Sequence, residues 1–138
     1  MSAPAHGPVS ETQRLATRID GPVVLIGDVH GQVDLLDRLM DRLARRKDFR
    51  DRWVVFLGDL VDRGPDPRGA IDRVLELMAA HPRTTAVCGN HDLAMAASLD
   101  LVPTPAEAQW ASRWRRGYQC ETTFGSYGVA TGDFDGLG

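Results

Sequence analysis

Three short apolar runs mark the chain up to Asn90, and each ends in glycine followed by a polar residue. They are VVLIGD at 23–28, VVFLGD at 54–59 and AVCGN at 86–90. Gly27, Gly58 and Gly89 recur every 31 residues, and Asp28, Asp59 and Asn90 keep step with them. Near-continuous apolar runs of this kind predict parallel strands covered on at least one face. Between the runs the period changes. Residues 33–46 set Leu36, Leu39, Met40 and Leu43 on one helical face, with charged residues elsewhere. Residues 68–80 repeat the pattern with Ile71, Val74, Leu75 and Met78. Pro67 suits the first turn of that second helix. His81, standing before Pro82, suits its end, because the residue before proline disfavours helical dihedrals.

Strand, helix, strand, helix, strand at this spacing is a pair of βαβ units. The fold class is therefore α/β. Right-handed crossovers make the strands parallel. Their C-terminal ends then share one sheet edge, which is where open α/β sheets bind ligands. The repeat would bring Asp28, Asp59 and Asn90 together in space. Beyond Asn90 the pattern predicts a helix over 91–101, an interruption at Pro103 and Pro105, and a helix over 106–116 with Trp110 and Trp114 one turn apart. From Gly117 onward the glycine content predicts irregular structure.

A chain of 138 residues suits one domain and can bury a real core. Residues 1–21 read as a flexible leader and 22–138 as the domain. The formal charge of −3 gives no reason to expect nucleic acid or an anionic membrane as a partner. No apolar run is long enough to span a bilayer, and the N-terminus lacks the basic and apolar regions of a signal peptide. A cytoplasmic location is the expectation. Cys88, in an apolar run, is expected to pack in the core, and Cys120 to lie in a polar stretch. Both are expected to be reduced.

The polar residues past the strands carry the chemistry. GDVHG supplies Asp28 and His30, GDLVDRG supplies Asp59, Asp62 and Arg63, and GNHD supplies Asn90, His91 and Asp92. Carboxylates, imidazoles and a carboxamide oxygen along one edge suit divalent Mn, Fe or Zn. A carboxylate can bridge two metals, and two metals roughly 3.5–4 Å apart can activate water for attack on phosphorus. The planar fork of Arg63 suits phosphate oxygens. Taken singly, Asp or Asn after a strand is ordinary turn chemistry, and Asp62 with Arg63 could be a solvated ion pair. The ordered set with His30 and His91 favours metal. His81 reads as a capping or surface histidine, His6 belongs to the leader, and Trp110 and Trp114 read as packing. Arg45, Arg46 and Lys47 read as a solvated helix end.

In that order and spacing, GDVHG, GDLVDRG and GNHD resemble the signature of the calcineurin-like metallophosphoesterases. The DRG triplet resembles their phosphoprotein-phosphatase branch. The resemblance covers residues 22–100 and touches the SYG near residue 127. It implies a four-layer αββα fold of which this chain holds the N-terminal half. It further implies that Asp28 and His30 bind a first metal, that Asp59 bridges two, and that Asn90 binds the second and faces the substrate phosphate with Arg63. His91 would be the general acid, oriented by Asp62, and Asp92 would hold no metal. The implied reaction is direct phosphoester hydrolysis by a metal-bound hydroxide at a dinuclear centre of Mn, Fe or Zn.

The resemblance also implies two later histidines on the second metal. The chain has His6, His30, His81 and His91 and none after. The second site is thus expected to be incomplete and the domain to be truncated at its C-terminal side. An apolar sheet face left uncovered would invite self-association. The expected substrate is a phosphorylated protein or a small phosphomonoester. The alternatives are a dinucleoside polyphosphate and, in another class, an inactive phosphate-binding or regulatory fragment.

Overall fold

The structure is a computed structural model that describes residues 18–130. His6 and most of the expected leader lie outside the described residues, as do residues 131–138. The first two apolar runs form β1 (Val23–Ile26) and β2 (Trp53–Phe56), whereas β3 (Thr84–Ala86) lies ahead of the third run and shares only Ala86 with it. The periodic segments between them form α1 (Val33–Ala44) and α2 (Pro67–Ala80), with a short 3₁₀ turn at Phe49–Asp51. Three helices follow: α3 (Asn90–Ser98), α4 (Trp110–Gly117) and α5 (Glu121–Ser126).

The strands lie in the order β1-β2-β3, and both pairings are parallel. Val24 aligns with Val54 and Thr84, and Ile26 with Phe56 and Ala86. Strand alternation sends Val24, Ile26, Val54, Phe56 and Ala86 to one face. There they meet Leu36 and Met40 of α1 and Ala70, Val74 and Leu77 of α2. Two successive right-handed crossovers in this strand order place both helices on that same face. Val54 and Phe56 are fully buried, and burying such a side chain stabilises the fold by about 1.5–3 kcal/mol. On the opposite face Leu25 remains 60% exposed and Val23 39%, whereas Val55 and Thr85 are buried.

Helix ends follow the local chemistry. Asp66 caps α2, its carboxylate accepting the Gly69 N–H at 2.8 Å, and Pro67 fills the first helical position. His81 ends α2 in an extended conformation, at φ −124° and ψ 100°.

The second half departs from expectation in several places. Helix α3 stops at Ser98, short of Leu101, and Asp100 turns the chain through a left-handed conformation at φ 55°. The expected helix over 106–116 is broken. Residues Ala106–Ala108 close as a 3₁₀ turn, Gln109 goes left-handed, and α4 starts afresh at Trp110. Residues beyond Gly117 are not all irregular, since α5 forms there. Gly125 inside α5 lowers its intrinsic propensity by about 1 kcal/mol relative to alanine. Tertiary contacts override that loss: Ala94, Trp114 and Cys120 form a second buried cluster, with Met95, Trp110, Tyr118 and Phe124 packed against it.

The two cysteines exchange their expected places. β3 ends at Ala86, so strand alternation no longer governs Cys88, and Cys88 is exposed. Cys120 is buried, and burial first, then the Glu121 charge, pushes its thiol up to about 11. Both are free thiols. Among the described residues, no helix is long and apolar enough to cross a membrane.

Candidate metal centre

The loops after the strands are tied to one another through their backbones. Val29 and His30 N–H both donate to the Asp59 carbonyl, at 3.1 and 2.9 Å, and Gly31 N–H donates to the Leu60 carbonyl at 2.9 Å. The second and third loops approach more closely still. Gly58 has φ 93°, and a Cβ there would strike the Gly89 backbone. A Cβ on Gly89 would strike the Asp59 carboxylate and amide. These two glycines of the repeat are therefore required by close approach, whereas a Cβ on Gly27 would meet nothing. His30, Asp59, Asp62 and Arg63 all take positive φ, from 43° to 68°. Non-glycine residues held there cost on the order of 1–3 kcal/mol each and concentrate at functional sites.

Asp28, His30 and Asp59 each present a ligand atom, and these atoms all lie within 4.8 Å of one another. His30 Nδ1 lies 2.7 Å from the Val61 carbonyl oxygen. A carbonyl only accepts, so Nδ1 carries the hydrogen. Nε2 then offers its lone pair, 3.8 Å from an Asp28 oxygen. A carbonyl that accepts from the far nitrogen of an imidazole in this way fixes which nitrogen is free to bind a metal. Two carboxylates and one oriented imidazole nitrogen fit a divalent cation of the Mn, Fe or Zn type. Arg63 is exposed, and its Nη1 lies 3.3 Å from His30 Nε2.

Asn90 is exposed and opens α3. His91 follows it and is buried at 3% exposure. Its backbone N–H donates to Asp59 Oδ1 at 2.9 Å, which seats α3 on the second loop. Its ring lies edge-on to His30, with centroids 4.6 Å apart, and is flanked by Tyr118 at 4.6 Å. His91 Nδ1 is 2.7 Å from Asp62 Oδ2. Asp62 is fully buried and is no solvated ion-pair member.

Three residues outside the sequence-predicted set contribute. Asp92 accepts the Asp59 N–H at 2.7 Å, the Leu60 N–H at 2.9 Å and the Gly89 N–H at 3.0 Å. One carboxylate thus joins the second loop to the third. Its position, three residues into α3 after Gly89, is where an acidic side chain reaches back to cap a helix, and that spacing was readable. Trp114 and Thr123 both donate to Asp62, and no local pattern announces them. Trp114 was expected as packing. It is buried, and its indole N–H is also bonded at 2.9 Å. His81 stays away from the site, with Nδ1 3.1 Å from Thr84 Oγ1 and Nε2 3.3 Å from the Phe49 carbonyl.

The chain is similar to proteins named symmetrical bis(5'-nucleosyl)-tetraphosphatase. It is 38% identical to that of Bordetella parapertussis over 88 residues, which is 64% of this chain and 30% of the relative. It is 41% identical to that of Serratia proteamaculans over 69 residues, 50% of this chain and 23% of the relative. A Caenorhabditis elegans protein named "Putative serine/threonine-protein phosphatase C27B7.6" is 46% identical over 48 residues, 35% of this chain and 10% of the relative. The chain thus spans less than a third of the length of these relatives. Residues 21–136 match the sequence profile described as calcineurin-like phosphoesterase, and the chain belongs to that family.

Proposed function

We propose that this chain carries the metal-binding and acid-donating part of a phosphoester hydrolase. The observation that supports this most is the meeting of Asp28, His30 and Asp59 beside the buried His91–Asp62 pair. Asp28, His30 and Asp59 would hold one divalent cation, and Asp59 with Asn90 would serve a second. When bound, the cations supply Lewis-acid activation of water and phosphate. The chain's own residues do the rest. Arg63 binds the phosphate oxygens as a planar fork. His91, doubly protonated, gives the proton on Nε2 to the departing ester oxygen as the P–O bond breaks and is left neutral with its hydrogen on Nδ1. Asp62 holds Nδ1 of the same ring throughout, so the imidazole keeps one orientation.

Two substrate classes follow from different observations. Asp62 standing before Arg63 supports a phosphomonoester, with phosphorylated Ser or Thr of a protein as the reading. The names of the bacterial relatives, which align over a longer part of the chain, support a dinucleoside tetraphosphate. In the purified chain with Mn²⁺, hydrolysis of p-nitrophenyl phosphate is expected to exceed that of Asp59→Asn. Equal, background rates in the two would sink the hydrolase reading for this chain. Release of phosphate from a phosphopeptide, against cleavage of diadenosine tetraphosphate, then decides between the substrates.

A further inference from the structure

Asp62 has more partners than the orientation of one histidine needs. Oδ2 accepts from His91 Nδ1 at 2.7 Å and from the Trp114 indole N–H at 2.9 Å. Oδ1 accepts the Thr123 hydroxyl at 2.6 Å, and that hydroxyl oxygen accepts the Asp62 backbone N–H at 2.9 Å. An indole N–H can only donate, so Oδ2 is held as an acceptor. Asp62, His91, Trp114 and Thr123 are each no more than 3% exposed. Such bonding is no automatic consequence of burial here. The hydroxyls of the neighbouring Thr122 and of Thr85 are buried without a partner. Thr123 and Trp114 come from different helices and converge on opposite oxygens of one carboxylate.

We propose that Trp114 and Thr123 are positioning residues that act on His91 through Asp62. With Oδ1 taken by Thr123 and Oδ2 braced by Trp114, the carboxylate cannot rotate. The remaining acceptor direction of Oδ2 meets His91 Nδ1. The ring is thereby fixed in one plane with its Nδ1–H on Asp62, and Nε2, which carries the donated proton in the doubly protonated ring, is turned toward the leaving group. The inference rests on the reading of His91 as the acid. Helices α4 and α5, which show no ligand pattern, then belong to the machinery of the site.

The test uses the 138-residue chain and four variants: Thr123→Val, Thr123→Ser, Trp114→Phe and, as a control, Thr122→Val. The first measurement is ¹⁵N NMR of His91 at fixed pH, with the hydrogen exchange of its Nδ1–H. Loss of one buried bond is expected to speed that exchange by about tenfold in Thr123→Val and Trp114→Phe. Thr123→Ser and Thr122→Val stay at the native rate. The second measurement compares turnover of p-nitrophenyl phosphate with that of phenyl phosphate, whose poorer leaving group depends more on the acid. Thr123→Val is expected to lose about tenfold more on phenyl phosphate, and Thr123→Ser to recover it. An unaltered His91 signal and an unaltered leaving-group ratio in Thr123→Val overturn the positioning role while leaving the hydrolase reading intact. Absence of turnover in the native chain, with His91 held as described, removes the acid reading and the positioning role with it. Should Thr123→Val fail to fold, the same comparisons are made on Trp114→Phe.

Discussion

The two buried clusters of this chain are built on different principles. The cluster under the sheet is apolar throughout, with Ile26, Val54, Phe56, Leu36, Met40, Val74 and Leu77 meeting across β1, β2, α1 and α2. The cluster behind the site joins Trp114, Ala94 and Cys120 around side chains that also serve Asp62 and His91. The first uses apolar area to hold three loops side by side. The second uses a few directional bonds to fix two polar groups within them. Apolar contacts tolerate small shifts of position, whereas a buried carboxylate deprived of a donor does not. Stability and function should therefore separate between the two clusters when each is cut.

The largest effect is expected under the sheet. Phe56→Ala removes a fully buried ring and should lower stability by about 3–5 kcal/mol. The measurement is urea-induced unfolding followed by circular dichroism. A loss below about 1 kcal/mol would mean that the sheet core closes around the gap, and the contrast between the clusters would fail.

Next in size is a cut at the junction of the loops. The Asp92 carboxylate reaches the predicted ligand Asp59 through its backbone, holding the N–H groups of Asp59, Leu60 and Gly89. Asp92→Asn keeps the shape and removes one acceptor oxygen. Supporting residues of this kind typically contribute about 10–100-fold to metal affinity. Mn²⁺ affinity, followed by the paramagnetic resonance of the free ion, should fall by about that factor with little change in the fold. Unchanged affinity would place the positioning of Asp59 elsewhere, in the Gly58–Gly89 approach.

How far each cluster could be read from the sequence follows the same division. The apolar cluster repeats locally: glycine every 31 residues, and leucine or valine at helical spacing in 33–46 and 68–80. Asp28, His30, Asp59 and His91 stand at strand ends that the same repeat located. The bonds to Asp62 have no period. They join positions separated by 52 and 61 residues, and each depends on one polar atom meeting another. Gly125 hid α5, whereas α4 was expected within 106–116 and only its start, after the turn at Gln109, was misplaced. Cys88 illustrates the converse error. An apolar neighbourhood was extended past Ala86, where the strand had already ended.

A smaller effect is expected where the two helices of the sheet cluster meet at the surface. Arg73 Nε donates to Asp37 at 2.5 Å, joining α2 to α1, and Nη1 donates to Glu76 of α2 itself at 3.3 Å. These groups are partly exposed, and pairs of this kind typically contribute about 0.2–1 kcal/mol. Arg73→Met should fall within that range by urea unfolding, far below Phe56→Ala. A larger loss would make directional bonds as important to the first cluster as to the second.

The smallest effect contrasts Asp48 with Asp62, the one carboxylate at the surface and the other fully enclosed. Arg52 and then Arg46, as hydrogen-bond donors, hold Asp48 at about 2, against an ordinary 3.8, with burial opposing them. The folded-state value lies below the unfolded one. The stabilisation is therefore complete above about 3.8 and is lost as pH falls through about 2. Carboxyl ¹³C NMR should show Asp48 titrating near 2 at low salt. Arg52→Met should return it toward the ordinary range, because the first and largest donor is gone. Raising salt to about 1 M, where the screening length falls to about 3 Å, should weaken the Coulomb attraction of both guanidiniums. The direct hydrogen bonds from Arg52, at 2.5 and 2.8 Å, lie within that length and should persist. Asp62, whose donors are a neutral indole, a hydroxyl and an imidazole in a sealed site, should keep its His91 bond at both salt concentrations. A His91 Nδ1–H signal that moved with salt as Asp48 does would show solvent reaching Asp62. The second cluster would then be an open rim, and its bonds would lose the directional hold that separates it from the first.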